Sequence, residues 1–598
     1  GGVDEAKLDE WVSRRKRDLI SCEKVAESIA RREPVRTSSA CWVPPIYISK
    51  WVGAAFRAHG CEVVYTAGEA DRQIAAHCVR QRCAAVLGKD SDFFILPVPL
   101  YLVLDSLREH DVTAYPRYAV LNVFGLSEQL LPLAASLIGN DFVDSNALAP
   151  FHAYLMPGRT ASGGPLIEAV CAHVRRVSEI VVWQDCDEEL APALWEALDP
   201  NGLITMDVRA KIRRSMAQYA LPPLEETVFA SQARGRQASP KHTDERTASE
   251  SSRGPRRPAL SPLLLRRFHQ GFLDSAIYTA ASLRAIWRGA GIEPIGCTPA
   301  VVSCAPLRAE VYAICVSHEC GDPKHGANRG DSCDTPKVEE QWPEGCVREY
   351  LLYSGKERPE IPDLVKIPDP LAKFDQLHGM KQEARCRILL KACARASGGD
   401  DPLLNLDATS LVASGPLMLT VLTLRFLLRR GLLVAGPSML ALLAQSIVLA
   451  RLDVLRERLP PDERGRQLAS CPTVDALRAS SLFLRAATDV LLLNSACCDP
   501  LEVAGAWQFY DGPLFHWMHD AASRGSGGRE LMRNDPLLYR LLCSLRPIAF
   551  ATTDQASLMN AACADVAKRW RENAHPHDGR GASHGPEPPK KVQRSLPR

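Results

Sequence analysis

The hydrophobic pattern changes period several times along the chain, and each change predicts an element. Over residues 4–31 apolar positions recur at helical spacing (Leu8, Trp11, Val12, Leu19), with Lys7, Arg14, Arg15, Lys16 and Arg17 on the polar side. A second helical pattern covers 45–59 and offers Ile46, Trp51, Val52 and Phe56 to a sheet. Residues 62–66 (EVVYT) are β-rich, Ala67-Gly68 turns the chain, and Glu69-Ala-Asp71 opens a helix with Ile74, Ala75, Cys78 and Val79 as its apolar positions. Ala84–Gly88 reads as a short strand that runs into Lys89-Asp90-Ser91-Asp92. Tyr101–Leu104 is the next strand, and Tyr118–Phe124 begins a helical stretch. Residues 126–142 (LSEQLLPLAASLIGNDF) form an apolar helix that stops at Gly139 and presents Asp141.

Further helices follow over 163–220. Residues 233–260 lose apolar periodicity and carry seven Lys/Arg against three Asp/Glu among Ser, Pro and Gly, the composition of a solvated linker. Globular character returns over 261–316 with a helical pair and then PLRAEVYAICV, an apolar helix or strand. Residues 321–343 read as a polar loop, 346–366 as renewed structure, and 372–400 and 404–570 as strongly helical. The expected organisation is 1–155, 156–230 as its helical extension, linker 231–260, middle region 261–370, helical domain 371–572 and tail 573–598. The two most apolar stretches, 416–434 and 438–459, are interrupted by Arg425, Arg429 and Arg430 and by Gln445 and Arg451. Neither supplies the ~20 clean apolar residues of a membrane span, so buried helices and no membrane are expected.

Composition narrows the picture modestly. The chain of 598 residues is 46% hydrophobic with a net charge of +2, so any nucleic-acid surface must be local. Twenty cysteines without a regular framework fit reduced thiols in nucleus or cytosol. Cys315, His318, Cys320, His325 and Cys333 lack the paired spacing of a zinc site. No phosphate-binding loop, dinucleotide fingerprint or nucleophile elbow is present.

The chemistry concentrates in acids at element ends. Asp90 and Asp92, two apart, point to one side of an extended chain, at the carboxyl end of a strand where open sheets place their sites. Glu69 and Asp71 start a helix, where negative charge is tolerated. Four converging carboxylates would call for hard divalent cations such as Mg²⁺, and two such ions could clamp a phosphoryl displacement. The alternative is a helix cap beside a polar loop.

The order GEAD (68–71), DSD (90–92) and an apolar helix ending in GND (139–141) resembles the flap-endonuclease (XPG-like) superfamily of PIN-like nucleases. GEADRQIA, LGKDSDFFIL and LAASLIGNDF are similar to motifs of its Asteroid family, clearly over about residues 1–155. The resemblance implies an α/β PIN-like nuclease domain with a twisted, mainly parallel sheet and a helical subdomain, followed by a mostly α-helical region. It also implies a first strand and further metal-binding aspartates upstream of Gly1. Glu69, Asp71, Asp90, Asp92 and Asp141 would hold Mg²⁺ (or Mn²⁺), and Lys7 and Arg14 would offset charge on a scissile phosphate. Past Asp141 the stretch VDSNALAPFHAYL lacks the glycines with which flap endonucleases grip a duplex.

Two functions follow. One is a Mg²⁺-dependent, structure-sensing nuclease acting on branched or single-stranded DNA or RNA. The other is a nucleic-acid- or protein-binding regulatory scaffold on the same fold, with little or no cleavage, whose C-terminal helices bind protein partners.

Overall fold

The computed structural model describes residues 8–33, 48–66, 69–109, 111–158, 162–180, 192–222, 260–316, 345–356, 358–399, 404, 415–450 and 472–523. Lys7, residues 231–259 of the linker, the 321–343 loop and the tail lie outside them. So do His318, Cys320, His325 and Cys333. Two compact units are drawn from the chain: one from Gly1–Ser28, Val35–Val301 and Val311–Asp369, the other from Ile29–Pro34, Val302–Glu310 and Pro370–Arg598.

The first unit starts with α1 (Leu8–Ala30), α2 (Ile48–Ala58) and α3 (Ala70–Arg80), followed by strand β1 (Val86–Gly88). β1 pairs in parallel with β2 (Leu100–Val103), Val86 opposite Tyr101, and β2 pairs antiparallel with β3 (Ala114–Pro116). The described sheet is therefore small and mixed rather than mainly parallel. The expected strand at 62–66 does not join it. Tyr65 instead exchanges bonds with His269: its N–H donates to the His269 carbonyl at 2.9 Å, and its carbonyl lies 2.8 Å from His269 Nδ1.

Helices α4 (Arg117–Phe124), α5 (Leu131–Ile138), α6 (Ala149–Leu155), α7 (Gly163–Ile180), α8 (Pro192–Leu198) and α9 (Met206–Tyr219) follow. α5 is shorter than the apolar pattern of 126–142 predicts. It begins at Leu131 because Pro132, which has no N–H to donate, fits only the first turn. Leu137, Leu148, Phe151, Val170 and Leu198 are each fully buried between these helices. Each such side chain contributes ~1.5–3 kcal/mol by leaving water.

Some assigned faces were wrong in detail. Ala75 and Cys78 of α3 pack on Val86, Phe93 and Tyr101, but Ile74 and Val79 stay exposed. On α2, Trp51 is buried while Val52 and Phe56 face solvent.

Helices α10 (Pro262–His269) and α11 (Ser275–Leu283) lead into a second mixed sheet. Here β4 (Ala285–Arg288) pairs in parallel with β5 (Cys346–Leu351), and β5 pairs antiparallel with β6 (Asp363–Lys366). Arg284, left-handed at φ 51°, ends α11 and releases β4. The segment that could be helix or strand is helix α12 (Ala305–Cys315).

The second unit is mainly helical over its described residues, and the chain beyond 523 lies outside them. It contains α13 (Gln382–Ala396), α14 (Gly415–Arg429), α15 (Pro437–Ala450), α16 (Val474–Ala496) and α17 (Gly512–Ala521). α14 is buried on nearly all sides, Arg425 included. No described helix is long and apolar enough to cross a membrane.

Candidate functional site

Strand β1 ends at Gly88, where the chain passes close to an aromatic ring: a Cβ there would stand 2.9 Å from the Phe93 ring. Lys89 follows, then Asp90, whose carboxylate accepts the Asp92 N–H at 3.0 Å and so caps the tight turn Ser91–Phe94. Arg117 holds the far side of that turn, donating to the Phe94 and Ile95 carbonyls at 2.9 and 3.1 Å. Tyr101 on β2 packs against Phe93 and Phe94, with ring centroids 5.5 and 5.1 Å away. Its hydroxyl donates to the Gly88 carbonyl at 3.3 Å.

An open cleft of about 550 Å³ lies at this strand end and is lined by Asp71, Ile74, Gly88, Lys89 and Asp90 among others. Burial raises the Tyr101 hydroxyl pKa first, and the charges of Asp90, Asp105 and Asp71 raise it further. Asp71 and Asp90, from motifs nineteen residues apart, are thus brought to one place. Glu69 stands at the start of α3 beside Asp71, with no side-chain capping bond.

Asp92 and Asp141 belong to a neighbouring polar network. The Tyr219 hydroxyl, at the end of α9, donates to Asp92 Oδ1 at 3.1 Å. Burial pushes the Tyr219 pKa up strongly, and the carboxylates of Asp92 and Asp141 add to it. Asn140 Nδ2 donates to Ser215 Oγ at 2.7 Å and to the Tyr219 hydroxyl at 3.3 Å. Its Oδ1 accepts the N–H groups of Phe142 and Val143. Ser136 Oγ and Ser215 Oγ are 2.8 Å apart. Gly139, at φ +106°, makes this corner possible, since a Cβ would meet the Ser145 Cβ at 2.9 Å. Asp141 itself receives Arg14 Nη2 at 2.9 and 3.0 Å.

Four of the five acids therefore fall into two groups: Asp71 and Asp90 line the cleft, while Asp92 and Asp141 adjoin Tyr219. Among the described residues no three His, Cys, Asp or Glu side chains converge closely enough to hold a metal ion. As placed, the set does not fit a cage of several carboxylates around two ions. Asp71 and Asp90 alone could take one hydrated cation, because Mg²⁺ keeps most of its waters and accepts one or two carboxylates. Arg14, expected to face a phosphate, pairs with Asp141 here.

Tyr219, Asn140 and Ser215 were not expected at the site. Asn140 lies inside the GND motif, where the two acids around DSD and Asp141 overshadow it. Tyr219 gives no local signal. Arg72 was also missed; it fixes the end of α9 by donating twice to the Ala220 carbonyl and once to Gln218.

Comparison with known proteins points to regulatory relatives. The constitutive coactivator of peroxisome proliferator-activated receptor gamma of Homo sapiens is 25% identical over 243 residues, 39% of this chain and 25% of that protein. Its Bos taurus counterpart is 26% identical over 230 residues, 37% of this chain and 31% of its own length. Constitutive coactivator of PPAR-gamma-like protein 1 of Mus musculus is 19% identical over 158 residues, 25% of this chain and 14% of its own. The matched segment spans less than a third of these curated relatives. No family model matches the chain, and no solved structure does.

Proposed function

We propose that this protein is a regulatory scaffold, nuclear in location, in which a nuclease-like acidic corner serves binding rather than phosphodiester cleavage. The observation that carries this reading is the partnering of the acids inside the chain. Asp90 caps its own turn, Asp92 accepts from Tyr219, and Asp141 is paired with Arg14. Such donors compete with an ion for the carboxylate oxygens, most of all at Asp141, where Arg14 takes both. The names of the relatives, all coactivators, support the same reading. Its partners are proteins or nucleic acid, and the helical second unit provides the additional surface.

A second reading is a weakly active metal-dependent nuclease, which the shared cleft of Asp71 and Asp90 favours. There a bound Mg²⁺ would supply Lewis-acid polarisation of a phosphodiester.

One assay separates the two. The full chain and Asp90→Ala are incubated with flap, hairpin and single-stranded DNA and RNA in Mg²⁺ or Mn²⁺. The scaffold reading expects no turnover from either protein. Cation-dependent cutting by the unmutated chain, lost in Asp90→Ala, establishes the nuclease instead.

A further inference from the structure

Helix α3 ends in a way that brings two thiols together. Gln81 follows its last residue, and Arg82 takes the left-handed conformation at φ 52°. The Arg82 N–H donates to the Val79 carbonyl at 3.3 Å, and the Cys83 N–H donates to the Cys78 carbonyl at 2.9 Å. These two bonds form a Schellman ending, which folds the residue beyond the left-handed position back over the third-last helical residue. Two apolar side chains ordinarily meet there. Here the pair is Cys78 and Cys83, set next to each other by that turn. Cys78 Sγ also reaches the Cys83 carbonyl at 3.9 Å.

The two thiols differ in access. Cys78 is 2% exposed, and burial raises its pKa, with Cys83 adding to the rise. Cys83 is only partly buried. The thiolate is the attacking species, so Cys83 meets a reagent first and Cys78 resolves.

We propose that Cys78 and Cys83 form a dithiol modification site that closes to a disulfide by exchange with a low-molecular-weight disulfide such as oxidised glutathione. The Cys83 thiolate, its proton released to water, attacks one glutathione sulfur. A protein–glutathione S–S bond forms, the glutathione S–S bond breaks, and one glutathione leaves as thiolate. Cys78 then releases its proton and attacks the Cys83 sulfur, displacing the second glutathione thiolate. Both departing thiolates take up a proton. Two protein thiols are oxidised while one small disulfide is reduced to two thiols. The Schellman ending already folds Cys83 back over Cys78, so the two partners start within one turn of each other rather than across the molecule. The bridge would tie the end of α3 to the segment entering β1, the two elements whose other ends line the cleft.

The test uses the full chain. It is incubated with oxidised glutathione, its remaining thiols are alkylated, and tryptic peptides are mapped by mass spectrometry. Peptides 73–80 and 83–89 are expected joined, lighter by two hydrogens than their reduced sum, and separated again by a reducing agent. In Cys78→Ser, glutathione should remain on Cys83. A stable glutathione adduct on Cys83 of the unmutated chain, or separate alkylation of both cysteines at the level of the other thiols, overturns the proposal. The mapping of the unmutated chain decides the matter whether or not the variant folds.

Discussion

Asp489 and Asp141 each bind an arginine, and there the likeness ends. In the helical unit, Arg308 Nη1 meets Asp489 Oδ2 at 2.7 Å with both side chains at 1% exposure or less. A neighbouring pair is sealed on the acid's side only: Arg395, 35% exposed, donates to the buried Glu310 through Nε at 2.6 Å, and burial raises the Glu310 pKa while Arg395 pulls it back. In the other unit, Arg14 and Asp141 meet at 2.9 Å with nearly half of each side chain in water. A charge pair sealed from solvent cannot be separated without leaving a bare charge behind, so it fixes a packing arrangement. A pair in water is weak and exchanges partners readily. The acids of the helical unit hold structure. Those at the end of β1 are held by bonds that are exposed or only part-buried.

The comparison breaks most sharply at Asp489. Asp489→Ala strands a buried guanidinium and should destabilise the helical unit by ~3–5 kcal/mol in denaturant titrations. A loss under 1 kcal/mol, on the order of a surface pair, would remove the distinction drawn here.

Acid should act on the same unit through His516. Burial, with help from the charge of His519, lowers its pKa from the ordinary 6.5 to about 4. Between those values the unfolded chain binds the proton and the folded chain does not. The unfolded state therefore gains as pH falls, and the stability that this neutral imidazole permits is complete above 6.5 and lost towards 4. At about 1.36 kcal/mol per pKa unit, the loss is on the order of 3 kcal/mol. Melting curves of His516→Gln should lack that share of the acid sensitivity.

At the acidic corner the largest effect should come from backbone, not charge. Gly139→Ala places a Cβ at positive φ against Ser145 and should lower stability by ~1–3 kcal/mol or more, read by thermal melting. Tyr219→Phe removes one hydroxyl from the Asn140–Asp92 network and should cost about 1 kcal/mol. Arg14→Ala is expected to change stability least, by ~0–1 kcal/mol.

How much of this was legible in sequence depended on range. The α3–β1 unit and its DSD turn could be read because capping, turn chemistry and hydrophobic period are all local there. The apolar stretches of the helical unit were recognisable as buried helices because single arginines and a glutamine interrupt them. Strand β4 was missed because RAIW continues an apolar helical run, and only the left-handed Arg284 ends that helix. The 62–66 segment looked like a sheet strand, yet its hydrogen bonds go to His269, two hundred residues away. Tyr219 was invisible for the same reason. Its role exists only because Arg72 and the packing of α9 on α5 bring it to Asp92. The order of the five acids was plain, but their division between a cleft and a Tyr219-centred network was not.

The central claim is that Asp90, Asp92 and Asp141 are engaged by the chain's own donors. Calorimetric titration of Mg²⁺ into the full chain tests this most directly. The account predicts no saturable heat, and the same trace for the chain carrying Asp71→Asn and Asp90→Asn. A saturable isotherm in the unmutated chain that disappears in this double variant would contradict it.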